Sequence, residues 1–299
     1  MNITQIIAQE LSATTAQITA AVELLDDGAT VPFIARYRKE ATGGLDDSQL
    51  RTLEERLGYL RELMARKETV LKSIEEQGKL TPELQAAIDA CDNKTALEDI
   101  YLPYKPKRRT KAQIARENGL QPLADLLLAE QNTDPEAAAQ DYLNEQVPDS
   151  KAALDGARAI LMEQFAEDAE LIGVLREKLW NEAEVHAQVI AGQETAGEKF
   201  ADYFDHREPV RAMPSHRALA VLRGRNEGIL QTALKYQPDE TPITEQSEYE
   251  KIIAAHFKIN SNNKWLRDTV RLTWRAKIFL SLELDAFNRL KEAADTDAI

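Results

Sequence analysis

The sequence predicts a mostly α-helical scaffold built from several subdomains, with a little β-structure near residues 208–235. Three observations carry that prediction. Only 12 glycines and 11 prolines occur in 299 residues, and they sit mainly between runs rich in alanine, leucine and glutamate, the residues that helices favour. Leu50, Leu53, Leu57, Leu60, Met64, Leu71 and Ile74 recur at alternating three- and four-residue steps. Helix-start residues, Thr30, Thr81, Ser150 and Ser215, stand at the heads of apolar-periodic segments.

Residues 1–46 read as short helices. ATTAQITAAVELLDDG ends at Gly28, a good C′ residue, and Thr30 precedes a helix opened by Pro32 in VPFIARYRKE. Gly43 and Gly44 then break the chain, which gives a helix-turn-helix-like start. Residues 47–120 form the next block. A helix from about Asp47 to Gln77 carries the leucine seam for about 45 Å, at 1.5 Å per residue, with Lys67 in its one charged slot. Gly78 stops it, and Thr81-Pro82-Glu83 starts a return arm, so a long helical hairpin is expected, with the partner for the seam in the same chain.

Residues 121–192 predict a helical subdomain. Leu154, Ile160, Leu161, Phe165, Leu171, Leu175 and Leu179 are expected on its core face, and its last helix is expected to run to Val189. Residues 193–299 are mixed. AGQETAGEKFADYFDHREP is irregular, Ser215 caps a helix through Leu222, ILQTALKY reads as a strand, and Gln237 to Gln246 as a loop. Trp265, Leu266, Trp274 and Phe279 belong to closing helices.

Composition narrows the function. Charged residues make up 29% and hydrophobic residues 43%, which is globular rather than disordered. The single cysteine, Cys91, excludes an internal disulfide and suits a reducing cytoplasm. No segment approaches the length needed to span a bilayer, so no membrane partner is expected. No glycine-rich phosphate loop or serine elbow appears, and His186, His206, His216 and His256 are scattered. The Asp202, Asp205, His206 cluster reads as acidic helix rather than a metal site. Neither catalysis nor a cofactor is expected.

Binding chemistry remains. The chain is acidic, with a net charge of -14, yet Lys105, Lys107, Arg108, Arg109 and Lys111 fall within seven residues. Pro103 and Pro106 stiffen the approach, and Tyr101 and Tyr104 flank it. Arg116 lies one turn further on, and no acid stands between Ile100 and Arg116. A local cationic patch on an acidic body calls for an anionic partner such as a phosphate backbone, because exposed charges beyond about 10 Å are screened at 0.1 M salt. Two other basic islands occur: Arg36, Arg38 and Lys39, and His216, Arg217, Arg223 and Arg225. Pairing with nearby acids competes with ligand binding at both. The acidic stretch Ala129 to Ser150 reads as a solvated face in preference to a docking site.

TVPFIARYRKEATGGLDD, ALEDIYLPYKPKRRTKAQIARENGLQPLA, KFADYFDHREPVRAMPSHRALAVLRGRNEG and RAKIFLSLELDAFNRLKEAADTDAI together resemble the N-terminal region of the Tex family. These are bacterial transcription accessory proteins, similar in architecture to the core of a eukaryotic transcription elongation factor. The resemblance implies that an RNase-H-like domain, tandem helix-hairpin-helix motifs and a C-terminal OB-fold RNA-binding domain follow in longer relatives, so the chain reads as an N-terminal fragment. It implies RNA or DNA as partner, contacted mainly by those absent domains, with transcription machinery as a further partner. Lys105, Lys107, Arg108, Arg109, Lys111, Arg116, Arg217, Arg223 and Arg225 are then the candidate auxiliary phosphate contacts. The alternative is a protein-interaction scaffold whose basic loop docks on an acidic surface of the transcription machinery or of the protein's own missing domains, without direct nucleic-acid binding.

Overall fold

A computed structural model of the chain describes residues 2–106 and 109–297. These residues form fifteen α-helices and one three-stranded antiparallel sheet, divided into two compact units, Met1–Lys105 and Pro106–Ile299.

The N-terminal unit is organised by its longest helix. Three short helices, α1 (Ile3–Glu10), α2 (Thr15–Asp26) and α3 (Val31–Tyr37), lead into the 30-residue α4 (Asp47–Glu76). Capping explains the boundaries. Thr14 and Gln17 form a reciprocal capping box at α2, and Asp46 and Gln49 form one at α4. Gly28 and Gly78 take φ of 87° and 67°, the left-handed conformation that ends a helix. Thr30 holds the N-cap position of α3, as expected, but its side chain makes no capping bond.

The seam of α4 is buried within its own chain, against α1, α2, α3, α5 (Pro82–Ala90) and α6 (Lys94–Tyr101). The return arm of the hairpin is therefore two short helices rather than one long one. Leu50, Leu53, Leu57, Leu60 and Ile74 are buried as expected. Between them the seam runs through Leu63 and Val70, whereas Met64 and Leu71 lie at its half-buried edge. Lys67 is buried too, and its Nζ donates to the Asp89 carbonyl at 2.8 Å.

In the C-terminal unit, α7 (Lys111–Glu117), α8 (Gln121–Ala129) and α9 (Pro135–Ala139) surround α10 (Ser150–Ala166), which α11 (Ala169–Glu182) follows. All seven expected core residues from Leu154 to Leu179 are buried. Gly156 lets α10 approach α7 and the start of α8 closely, since a Cβ there would lie 3.2 Å from Ala115 Cβ and 2.3 Å from Leu120 Cδ1. Asp149, not Ser150, caps α10 by accepting from the Ala152 amide.

The helix expected to reach Val189 ends at Glu182. Residues beyond it form β1 (Glu184–Val189), the central strand between β2 (Asp205–Pro209) and β3 (Leu230–Lys235). Glu184 pairs with Pro209 and Lys235, and Gln188 with Asp205 and Gln231. In EVHAQV the β-branched Val185 and Val189 suit an extended backbone, and pairing with β2 on one side and β3 on the other satisfies its N–H and C=O groups.

Helix α12 (Ser215–Asn226) crosses β3, with Pro214 at its N-cap and Ser215 as its first helical residue. Helices α13 (Glu248–His256), α14 (Lys264–Thr273) and α15 (Phe279–Asp297) complete the unit, and a π-helical turn, Trp274–Ile278, joins the last two. Trp274 is fully buried and stacks on Tyr249 at 4.6 Å and 9°. Beside it the carboxylate of Glu250 is buried near Arg271 and Arg275, and burial raises its pKa against the opposing pull of the two guanidinium groups.

Candidate nucleic-acid interface

The basic segment begins where α6 tightens into a 3₁₀ turn, Leu102–Tyr104, and the Lys105 amide donates to the Tyr101 carbonyl at 3.0 Å. The two tyrosines serve the core rather than a ligand. Tyr101 is buried with its hydroxyl 2.9 Å from Ser73 Oγ, and the Tyr104 carbonyl accepts from Gln77 Nε2 at 2.8 Å. Arg66 lies 5.4 Å from the Tyr101 ring and binds Glu98 through two nitrogens. Those hydrogen bonds, with a smaller contribution from the Lys105 charge, hold the Glu98 pKa low. Lys105 is exposed and forms no salt bridge among the described residues. Lys107 and Arg108 lie outside the described residues.

In the C-terminal unit, Thr110 caps α7 by accepting from the Gln113 amide, while its hydroxyl donates to Glu163 at 3.0 Å. Lys111 opens the helix, exposed and without a carboxylate partner among the described residues. Arg109 is exposed but bonded to Glu117, whose pKa is lowered chiefly by that hydrogen bond. Such a surface pair is worth about 0–1 kcal/mol, so an incoming phosphate displaces it at little cost. Arg116 differs. Its Nη1 binds the largely buried Glu163 at 2.7 Å, and its Nε binds Gln121 at 2.9 Å.

Arg116 therefore holds α7 to α10. Arg116→Ala is expected to destabilise the C-terminal unit by about 2 kcal/mol, less than the roughly 3–5 kcal/mol for breaking a fully buried pair, because the guanidinium is a third exposed. Chemical denaturation followed by tryptophan emission measures it; a change within about 0.5 kcal/mol refutes the structural role.

The third island is largely committed as well. Arg217 Nη2 binds Glu208 at 2.6 Å, and His206 Nε2 lies 3.1 Å from the same carboxylate. Arg223 and Lys199 share Glu227, at 2.8 and 2.5 Å, and their hydrogen bonds lower its pKa. Arg225 is exposed, 5.3 Å from the Phe287 ring. Asp205 and His206 are drawn apart by separate partners, His186 at 2.8 Å for the first and Glu208 for the second. Among the described residues no cluster of three metal-ligating side chains occurs.

Glu163 comes from a segment 47 residues beyond Arg116, and no spacing in the sequence announced it, whereas Glu208 lies only nine residues before Arg217. Sequence reasoning also passed over Phe33 and Tyr37, which stand exposed beside the first island. Their signal was present: Val31 and Ile34 occupy the core face of α3, which leaves a ring pair at i, i+4 pointing elsewhere. A cleft of about 440 Å³ lined by Arg158, Trp265, Asp268 and neighbours contains none of the predicted cations. No helix among the described residues is long and apolar enough to cross a membrane.

Comparison with known proteins matches residues 1–75 to the Tex-like protein N-terminal domain and residues 130–299 to the Tex central region-like family model. The basic segment falls between the two matched regions. The transcriptional accessory protein Tex of Neisseria gonorrhoeae is 81% identical over all of this chain, which covers 40% of that protein. Protein YhgF of Escherichia coli K12 is 54% identical over 99% of the chain and 39% of its own length. Human S1 RNA-binding domain-containing protein 1 is 28% identical over 70% of the chain and 22% of its own length. The chain thus spans about 40% of the bacterial relatives it matches. With the central-region model alone covering more than half of its residues, the chain belongs to the Tex family.

Proposed function

We propose that this chain is the helical scaffold of a transcription accessory protein that binds nucleic acid, and that the segment from Lys105 to Lys111 makes auxiliary phosphate contacts. The observation that carries this reading is the freedom of Lys105 and Lys111, exposed cations without a carboxylate partner among the described residues of a chain with net charge -14. The names of the gonococcal relative, a transcriptional accessory protein, and of the human one, which carries an S1 RNA-binding domain, support it. The role is binding rather than catalysis, and a transcription-associated protein of this kind acts in the cytoplasm.

The pairing of Arg116 with the largely buried Glu163 and of Arg217 with the largely buried Glu208 favours a narrower contact set, centred on the continuous segment Lys105, Lys107, Arg108, Arg109 and Lys111. Arg223, in an exposed pair like that of Arg109, and exposed Arg225 lie apart from it in the chain, on α12. Five neutralised phosphates give a slope of log affinity against log salt of roughly -3.5 on single strands and -4.5 on duplex. Anisotropy titrations of single- and double-stranded DNA and RNA, from 50 to 200 mM salt, measure it. Replacing Lys105, Lys107, Arg108 and Arg109 together by alanine is expected to flatten the slope by about 3. An unchanged slope and affinity sink the phosphate-contact reading. The same acid pairing supports a second reading, a scaffold docking protein partners through the basic loop; it predicts that this variant loses a protein partner while the parent chain binds no nucleic acid.

A further inference from the structure

The first basic island has no part in that reading, and its surroundings are unlike those of the other two. Helix α3 buries Val31 and Ile34 and turns Phe33 and Tyr37 outward, 42% and 64% exposed, with ring centroids 5.4 Å apart. Two neighbouring aromatic rings left in water are an uncommon surface for a soluble domain. The guanidinium of Arg38 lies 5.9 Å from the Phe33 centroid. Arg36, Arg38 and Lys39 are all exposed, and none forms a salt bridge among the described residues, although exposed Glu40 follows directly.

The backbone that carries these cations is held rigidly. Thr42 is fully buried, and its amide and hydroxyl donate to the Arg38 carbonyl at 3.2 and 3.3 Å. The Gly44 amide donates to the Lys39 carbonyl at 2.8 Å, and Gln17 Nε2 donates to the Gly43 carbonyl at 3.0 Å. Gly43 and Gly44 take φ of 61° and 88°, and a Cβ on Gly43 would lie 2.9 Å from the Gln17 side chain. A surface fixed in advance loses little entropy when it binds.

We propose that Phe33 and Tyr37, with Arg36, Arg38 and Lys39, form a stacking platform for single-stranded nucleic acid. Exposed rings take up unpaired bases whatever their identity, a guanidinium plane extends the stack, and the free cations neutralise the phosphates that come with it. Duplex bases are already stacked and cannot use the rings. A neutral or basic protein surface explains the rings but not the three unpaired cations, and an acidic one is told from nucleic acid by the measurements below. The proposal rests on residues other than Lys105 to Lys111 and adds base stacking to phosphate contact.

Anisotropy with fluorescein-labelled U12, dT12 and a 12-base-pair duplex tests it on the whole chain. Phe33→Ala with Tyr37→Ala is expected to weaken single-strand binding tenfold or more, leaving duplex affinity and salt slope as in the parent. Arg36→Ala with Arg38→Ala and Lys39→Ala is expected to flatten the single-strand salt slope by about 2. Because the rings are exposed, the thermal transition of the ring variant serves as the folding control. Parent-level single-strand affinity in the ring variant overturns the proposal, and so does a parent chain that binds no single strand. Loss of a protein partner with single-strand affinity unchanged overturns it in favour of a protein-docking face. If the ring variant loses affinity while the Lys105, Lys107, Arg108, Arg109 variant does not, the platform stands and the phosphate-contact reading falls.

Discussion

Trp274→Ala is expected to destabilise the C-terminal unit by about 3–5 kcal/mol, the usual range for truncating a buried large aromatic side chain. Trp274 is fully buried, parallel to Tyr249 and edge-on to Tyr236 at 5.3 Å, with Phe279 at 5.5 Å. Aromatic pairs of this geometry add about 0.5–1.5 kcal/mol each beyond the area they bury. The indole Nε1 has no hydrogen-bond partner, so removing it leaves no acceptor orphaned. Trp274→Phe is therefore expected to recover most of the loss. At roughly 2–4 °C per kcal/mol for a unit of this size, the alanine variant should melt about 6–20 °C lower. The three tryptophans, Trp180, Trp265 and Trp274, all lie in this unit, so emission from the remaining two reports it alone. A shift under about 3 °C would falsify the assignment of Trp274 as the centre of the core.

Leu63→Ala is the counterpart in the N-terminal unit, with an expected loss of about 3–5 kcal/mol. Leu63 is fully buried in the seam of α4, whereas Met64 sits at its edge. Met64→Ala is expected to cost about 1 kcal/mol. Helix signal at 222 nm through a urea titration, compared for the two variants, decides the phase of the helix. Equal losses, or a larger loss at Met64, contradict the buried seam described here.

That pair also shows how far the sequence could be read. Leucine spacing located α4 to within a residue at each end, because capping residues and glycines fix helix ends locally. It put Met64 in the seam where the fold buries Leu63, since both continue an apolar stripe and only the neighbouring helices decide which is covered. The core from Leu154 to Leu179 was legible for the same local reason. Strand β1 was not. Its pairing residues lie about 20 and 45 positions away, and a helix reading extends smoothly into it from Leu179.

The candidate site divides along the same line. Clusters of lysine and arginine are visible in any sequence, but their commitment is not. Arg116 has Glu117 beside it in the chain, but Glu117 binds Arg109 and it is Glu163 that reaches Arg116 from α10. At island three, where pairing with nearby acids competed with ligand binding, Glu208 and Glu227 take two of the arginines. Island one has Glu40 beside it, yet none of its three cations forms a salt bridge among the described residues. Local composition gives the charge of a patch, and the fold decides whether that charge is spent.

The lysine in the seam of α4 has a consequence for assembly. A leucine stripe of this length invites a second copy of itself, since two such helices bury one another well. Lys67 disfavours that solution. Its ammonium group meets the Asp89 carbonyl only in the alignment its own chain provides, with α5 folded back along α4. Sliding the return arm by a heptad, or replacing it with a second α4, would strand a charge among leucines, at a cost of several kcal/mol. One hydrogen bond thus fixes the fold-back alignment and keeps the stripe from becoming a dimerisation surface.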